Sequence, residues 1–338
     1  MSKQDNIALR ILKSIALPVG MYLLFFILTR FIGQGHFGTW ETTLPILRNA
    51  VLGSCIALAM TCNMQNGRWD FSIGMMVVLC PVLVMPLVDL IHGGPIGLLV
   101  LCIVAGLVLS LINAAAYIFI KVPTIVTSIG LMLIYESVIL VYGGGRGARI
   151  SDLKMLKLGV SPYIFIIGVV AIAVFYILYT HTKFGYNVRS LSGNQALAVS
   201  TGINEKRNVL MCYLLCGFLV GIAGAIYVSM SGNLTATSKY NGSMNIMFEA
   251  FPPVFIGFYL TKYCNLTFGV VLGSLTMKIL TTGMLALSIP AALQNVGVGV
   301  FLLVFIAFTT NQEKIREAHD IRKRIALVTA SLTTDQGK

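Results

Sequence analysis

The stretch from His181 to Asn208, HTKFGYNVRSLSGNQALAVSTGINEKRN, is the long polar segment of this chain with membrane-length apolar sequence on both sides. It carries Lys183, Arg189, Lys206 and Arg207, so the positive-inside bias places it in the cytoplasm. Ser192 or Asn194 can accept hydrogen bonds from the free N–H groups of a first helical turn. Residues 195–201 are mostly helix-compatible, and Gly202 can take the left-handed conformation that closes a helix. The stretch therefore reads as a short, capped helix standing outside the membrane, which either docks onto a neighbour or lies at the lipid surface.

Outward from it, apolar runs of about 20 residues recur, each long enough to cross a hydrocarbon core of roughly 30 Å as a helix. They fall near 11–32, 46–63, 71–91, 96–120 and 124–143 before the stretch, and near 162–180, 209–230, 246–260, 264–287 and 290–309 after it. With 57% of its 338 residues hydrophobic and 11% charged, the chain is too apolar for a soluble domain. The alternating segments of a membrane β-barrel are absent. The expected fold is an all-α polytopic membrane protein of about ten transmembrane helices, with both termini cytoplasmic. Residues 1–10 form a cytoplasmic N-terminal segment, 11–309 the transmembrane domain with its cytoplasmic loop 181–208, and 310–338 a basic cytoplasmic tail. Lys3, Arg10 and Lys13 precede an apolar run continuing to Ile32, longer than a cleaved signal core, so it is expected to remain as the first span.

Arg68, Lys121, Lys262 and the tail agree with this orientation. The segment 143–160, GGGRGARISDLKMLKLGV, carries four basic residues yet falls outside, where an acidic partner surface would explain it. The net charge of +12 is spread through short polar gaps, which points to helix orientation and contact with anionic lipid, not nucleic acid. Seven cysteines lie in or beside apolar runs without metal or disulfide spacing. Gly217, Gly221 and Gly224, and again Gly269 and Gly273, provide small faces for close helix packing.

No catalytic constellation emerges. There is no glycine-rich phosphate loop ending in Lys-Ser or Lys-Thr, so no nucleotide or other cofactor is expected on this chain. His36, His92, His181 and His319 lie in loops or tails, without the pairing on one helix face that holds zinc. Ionisable groups near the membrane carry more meaning, because each costs several kcal/mol unless paired or wetted. Asp70, beside Trp69 in NGRWDFSIG, either caps the third span or meets solute at the cytoplasmic mouth. Glu249 precedes Pro252-Pro253, which should break its helix, and it either lines a watery pathway or joins an ion pair. Asn113, Gln294 and Asn295 are amides in apolar spans, able to bridge helices or contact solute hydroxyls. The pathway-lining or gate candidates are thus Trp69, Asp70, Asn113, Glu249, Gln294 and Asn295.

Gly193, Asn194, Ala196, Ser200, Gly202 and Ile203 resemble the coupling segment of the permease subunits of ABC importers of the ribose, xylose and galactose type. Residues 67–74, GRWDFSIG, are similar to that family's Gly-Gly-Ile-Asp-Leu-Ser-Val-Gly, and residues 123–127, PTIVT, to its Pro-x-x-Ile-Val-Thr. The resemblance runs from about Leu47 to Ala307. It implies a bacterial inner-membrane importer in which two permease subunits form the pore, a separate ABC ATPase subunit grips those six coupling positions, and an extracytoplasmic solute-binding protein delivers a sugar or sugar-like solute. One motif departs: where the family has a glycine-rich loop between the eighth and ninth spans, residues 257–265 keep only Gly257. The departure favours a heterodimer with a second permease over a homodimer. The alternatives are a permease for nucleosides or branched-chain amino acids, an ATPase-independent carrier using Glu249 or Glu136 as a proton site, and a non-transporting membrane subunit.

Overall fold

A backbone inside lipid must satisfy its own N–H and C=O groups, so apolar runs of this length become helices. The computed structural model describes residues 7–32, 37–142, 147–234, 244–290 and 293–311. Its helices are α1 (Ile7–Phe31), α2 (Trp40–Gln65), α3 (Ile73–Leu90), α4 (Gly94–Ile120), α5 (Thr124–Val141) and α6 (Tyr163–His181). There follow α7 (Lys183–Gly193), α8 (Gln195–Ser200), α9 (Glu205–Ser231), α10 (Met244–Leu260), α11 (Leu266–Ala286) and α12 (Leu293–Asn311). Among the described residues, nine helices are long and apolar enough to cross a membrane, and α10 is a shorter apolar helix. At 17 residues it sits at the lower limit for a crossing. The chain divides into two units, Met1–Leu287 and Ser288–Lys338; α12 belongs to the second.

Within the first unit, α9 is the buried axis, packed against α2, α3 and α4. Its glycine face makes that possible. A Cβ on Gly221 would lie 2.5 Å from the Ile103 Cα, and one on Gly106 would lie 2.9 Å from the Gly221 backbone nitrogen, so α4 and α9 cross backbone to backbone. On α11, a Cβ on Gly273 would lie 2.6 Å from the Pro253 carbonyl oxygen of α10.

That contact bears on the break expected at Pro252-Pro253, which does not occur: α10 runs through both prolines as one helix. Interior proline costs about 3 kcal/mol in an isolated helix. Burial of Phe251, Val254 and Ile256 contributes about 1.5–3 kcal/mol each, which outweighs the local preference. Residues 257–260, read from sequence as part of a loop, are the last turn of α10, and Gly257 packs directly on Val270 of α11.

The polar stretch that opened the sequence reading holds two helices where one was expected. In α7 the buried residues Gly185, Val188 and Leu191 recur every third position and face the bundle, while Lys183 is exposed and Arg189 is half-buried. At the other end of α9, about 40 Å along its 27 residues, the 147–160 segment closes over the bundle. There Ala148–Arg149 pairs antiparallel with Asn233–Leu234, and a 3₁₀ stretch, Leu153–Gly159, begins with the Asp152 carboxylate accepting from the Lys154 N–H at 2.9 Å. The Ser151 hydroxyl donates to Asp89 Oδ2 at 3.0 Å, fixing this segment to the end of α3.

Candidate functional site

The α8 helix is built by its own residues. Asn194 has extended backbone, and its Oδ1 accepts from the Leu197 N–H at 3.0 Å. Gly202, at φ 92°, ends the helix in the left-handed region while its N–H donates to the Val199 carbonyl at 3.0 Å. Ser192 does not cap; its hydroxyl donates to the Arg189 carbonyl at 2.9 Å. Of the six helical residues only Ala198 is buried against the bundle. Ala196, Leu197, Val199 and Ser200 are exposed, with Leu197 at 62%. Gly193 and Asn194 enter the same exposed surface and Ile203 is half-buried beneath it.

The surface is held rigidly to the spans behind it. Arg189 Nη1 donates to the Tyr179 carbonyl at 2.8 Å, and its guanidinium lies 4.6 Å and 5.1 Å from the ring centroids of Tyr186 and Tyr179. The Tyr179 hydroxyl donates to Gln65 Oε1 at 2.9 Å, and Gln65 Nε2 donates to the Ser192 hydroxyl at 3.4 Å. Gln65 is the last residue of α2, so α7, α6 and α2 share one junction.

From that junction the linker 66–72 leads into a buried polar network. Asp70 Oδ1 accepts from the Ser72 N–H at 2.9 Å and from its hydroxyl at 2.6 Å. Asn113 Nδ2, on α4, donates to Asp70 Oδ2 at 3.2 Å and to Ser72 Oγ at 2.6 Å, and Tyr135 of α5 donates to Asn113 Oδ1 at 2.6 Å. Burial pushes the Asp70 carboxyl above the ordinary carboxylate range, while the hydrogen bonds from Ser72 and Asn113 pull the other way. Asp70 and Asn113 are each 3% exposed, so what they hold together is the entry of α3 against α4 and α5. Trp69 points differently: its ring lies tilted, 5.6 Å and 6.1 Å from the rings of Phe251 and Phe255 of α10, and its carbonyl accepts from Ser128 at 3.3 Å. The partners Ser72 and Tyr135 are missed by sequence reasoning. The Asp-x-Ser spacing is a local signal for the first, and nothing local announces the second.

Glu249 lies apart from this network. Its Oε2 is 2.6 Å from Lys278 Nζ of α11, and the two side chains border a cavity of about 170 Å³ with Asn49, Tyr227 and Gly53. Of the two descriptions reached from sequence, the structure shows the ion pair, which borders this small cavity. Gln294 and Asn295 belong to the unit Ser288–Lys338, where Gln294 Nε2 donates to the Ile289 carbonyl at 2.8 Å.

The exposed, self-capped α8 is thus clamped through α7 to the spans behind it. The family model described as branched-chain amino acid transport system / permease component matches residues 42–308, which is most of the chain. The chain belongs to this permease family. Among its relatives, the autoinducer 2 import system permease of Photorhabdus luminescens is 24% identical over 274 residues, covering 79% of this chain and 81% of its own. The ribose import permease of Escherichia coli K12 is 24% identical over 284 residues, covering 80% and 86%. The autoinducer 2 permease of Shigella flexneri is 23% identical over 291 residues, covering 85% and 84%. No solved structure matches this chain significantly. The permease is a multi-pass protein of the inner membrane.

Proposed function

We propose that the chain is one half of the pore of an ATP-driven importer for a sugar or sugar-like solute, coupled through α8 to a separate ABC ATPase subunit. The observation that carries this reading is the outward face of α8. Apolar Leu197 and Val199 are left exposed on a helix that spends only Ala198 on its own bundle. An apolar pair on a polar surface is stabilised by a partner groove that buries it. Motion received there passes through α7 and the Gln65 junction to α2 and the linker 66–72, so that the spans around Trp69 and Asp70 alternate access. The chain supplies no chemistry of its own. A solute-binding protein docks at the 147–160 end, and α10 crosses as the tenth span, which returns both termini to the cytoplasm.

The proposed solute class is supported by the relatives, two of which are named for ribose and autoinducer 2 import. Glu249 is engaged by Lys278 at 2.6 Å, an ion pair that ties α10 to α11 and weighs against its use as the proton site of a carrier. The test is uptake in ATP-loaded vesicles containing this chain with its neighbouring ATPase and binding protein. Uptake should persist with a protonophore present and stop without ATP; arrest by the protonophore alone would transfer the assignment to a secondary carrier.

We further propose a heterodimeric pore. Phe258, Tyr259, Leu260 and Tyr263 stand where the resembling family keeps glycines, and a mixed pair carries that replacement once instead of twice. Recovery of two copies of this chain and no second permease, in a complex active for uptake, would refute it.

A further inference from the structure

At the end of the bundle that carries α8, a cavity of about 680 Å³ opens between the linker 66–68, the end of α4, the start of α5 and the start of α9. Its charged lining is Arg68, Lys121, Lys206 and Glu205, and Asn66, Tyr117, Thr124 and Gln195 are its polar side chains. The carboxylate in this set is already engaged, since Glu205 Oε1 accepts from Gln195 Nε2 at 2.8 Å. The cations are not balanced by it.

Arg68 is the anomaly. It is 5% exposed, its Nε has no hydrogen-bond partner, and its Nη2 reaches only the Cys212 sulfur at 4.0 Å. No acidic side chain pairs with it among the described residues. A guanidinium taken out of water without an anion is costly by several kcal/mol in general, so a chain that places one at a cavity wall is stabilised when the cavity holds the anion. Two further features point the same way. Lys121, exposed and in the left-handed region at φ 55°, turns the chain at the end of α4 beside the opening. The first turn of α5, at Thr124, faces the cavity with no side-chain cap; the Val126 and Thr127 N–H groups donate to the Pro123 carbonyl, which leaves those of Thr124 and Ile125 and the positive end of the dipole for a ligand. In the sequence, Arg68 stands where the resembling family has the second glycine of its Gly-Gly-Ile-Asp motif, so this group is a feature of this chain.

We propose that this cavity binds a phosphate-bearing anion, with Arg68 as the buried ligand and Lys121 as the exposed one. Planar guanidinium with uncapped helix amides fits tetrahedral oxyanions better than a lone ammonium does. Because Gln195 opens α8 and Glu205 opens α9, the bound anion braces the turn between them. The site rests on the cavity, Arg68, Lys121 and the first turn of α5, and does not depend on the import reading.

Two sources share this chemistry, a soluble phosphate and a phospholipid headgroup. The purified full chain in phosphatidylcholine nanodiscs is titrated with inorganic phosphate against chloride of equal ionic strength, following its thermal midpoint; a parallel arm replaces the lipid with phosphatidylglycerol. A rise with phosphate assigns a soluble ligand, and a rise confined to phosphatidylglycerol assigns a headgroup. Arg68→Gln should weaken the response about tenfold or more and Lys121→Gln severalfold, while Lys154→Gln at the other end of α9 should not change it. The proposal is overturned if wild type responds in neither arm, or if Lys154→Gln loses as much as Lys121→Gln. Should Arg68→Gln fail to insert, Lys121→Gln decides, and a wild-type response from it overturns the site.

Discussion

Replacing Asn194 by Ala removes one hydrogen bond, the 3.0 Å contact from the Leu197 N–H, and nothing else that the structure shows. Asn194 has φ −153° and ψ 104°, an extended backbone that alanine also adopts, and its side chain is exposed, so no cavity or strain follows. Loss of such a cap costs about 1 kcal/mol. A helix of six residues has almost no propagation energy to absorb that loss. About 1 kcal/mol is roughly a fivefold change in the population of open α8. Amide hydrogen exchange over 195–203 should therefore quicken roughly fivefold, while exchange in α9 stays as it was. ATP-driven uptake should fall by a similar factor with the amount of inserted protein unchanged. Asn194→Ser keeps an acceptor and should recover most of both quantities. Unchanged exchange in the alanine variant would refute the cap argument, and a serine variant as defective in uptake as alanine would show that Asn194 acts through something other than capping.

Gly202→Val places a β-branched residue at φ 92° and should cost about 1–2 kcal/mol, seen as weaker retention of the ATPase subunit in a pull-down. Gly221→Leu should prevent stable insertion, since α4 and α9 meet backbone to backbone there and the added bulk costs more than about 3 kcal/mol; Gly97→Ala, which meets nothing within 4 Å, should insert normally by the same blot. Glu249→Gln and Lys278→Gln should each reduce uptake more than the double change does, because the pair, with Glu249 half-exposed, contributes under about 1 kcal/mol while either unpaired charge faces the cavity. Cysteines placed at Ser151 and Ser192, in a background without the native seven, should label from outside and inside respectively; the reverse pattern would sink the topology.

What could be read in advance follows from range. The cap, the Gly202 closure and the α8 helix between them depend on neighbours in sequence; the helix and its closure stand as read, and of the two caps offered, Ser192 or Asn194, the structure uses Asn194. The small faces of Gly217, Gly221 and Gly224 were legible for the same reason, since their spacing alone puts them on one side of a helix. α7 was hidden because its apolar residues Phe184, Val188 and Leu191 stand among basic and polar ones in a short segment beside the membrane, and its bundle-facing side shows only when Gly185 is seen packed on Tyr179. The prolines of α10 misled because a local rule was overruled by packing against Gly273, a contact made across helices. The network of Asp70, Asn113 and Tyr135 joins residues 43 and 22 positions apart, and no pattern within one helix encodes such pairing. Arg68 shows the same limit: its place in a polar gap suggested an exposed orienting charge, and its burial depends on where α9 packs.

The central claim is that the outward face of α8 meets an ATPase subunit. A photo-crosslinking residue in place of Leu197, in membranes where this chain is co-expressed with its neighbouring ATPase and binding protein, tests it directly; the same residue at Val169, an exposed position of α6, serves as the reference. The account predicts that Leu197 captures the ATPase subunit and Val169 does not. Capture at neither position, or equal capture at both, in membranes that still take up solute on ATP, would contradict it.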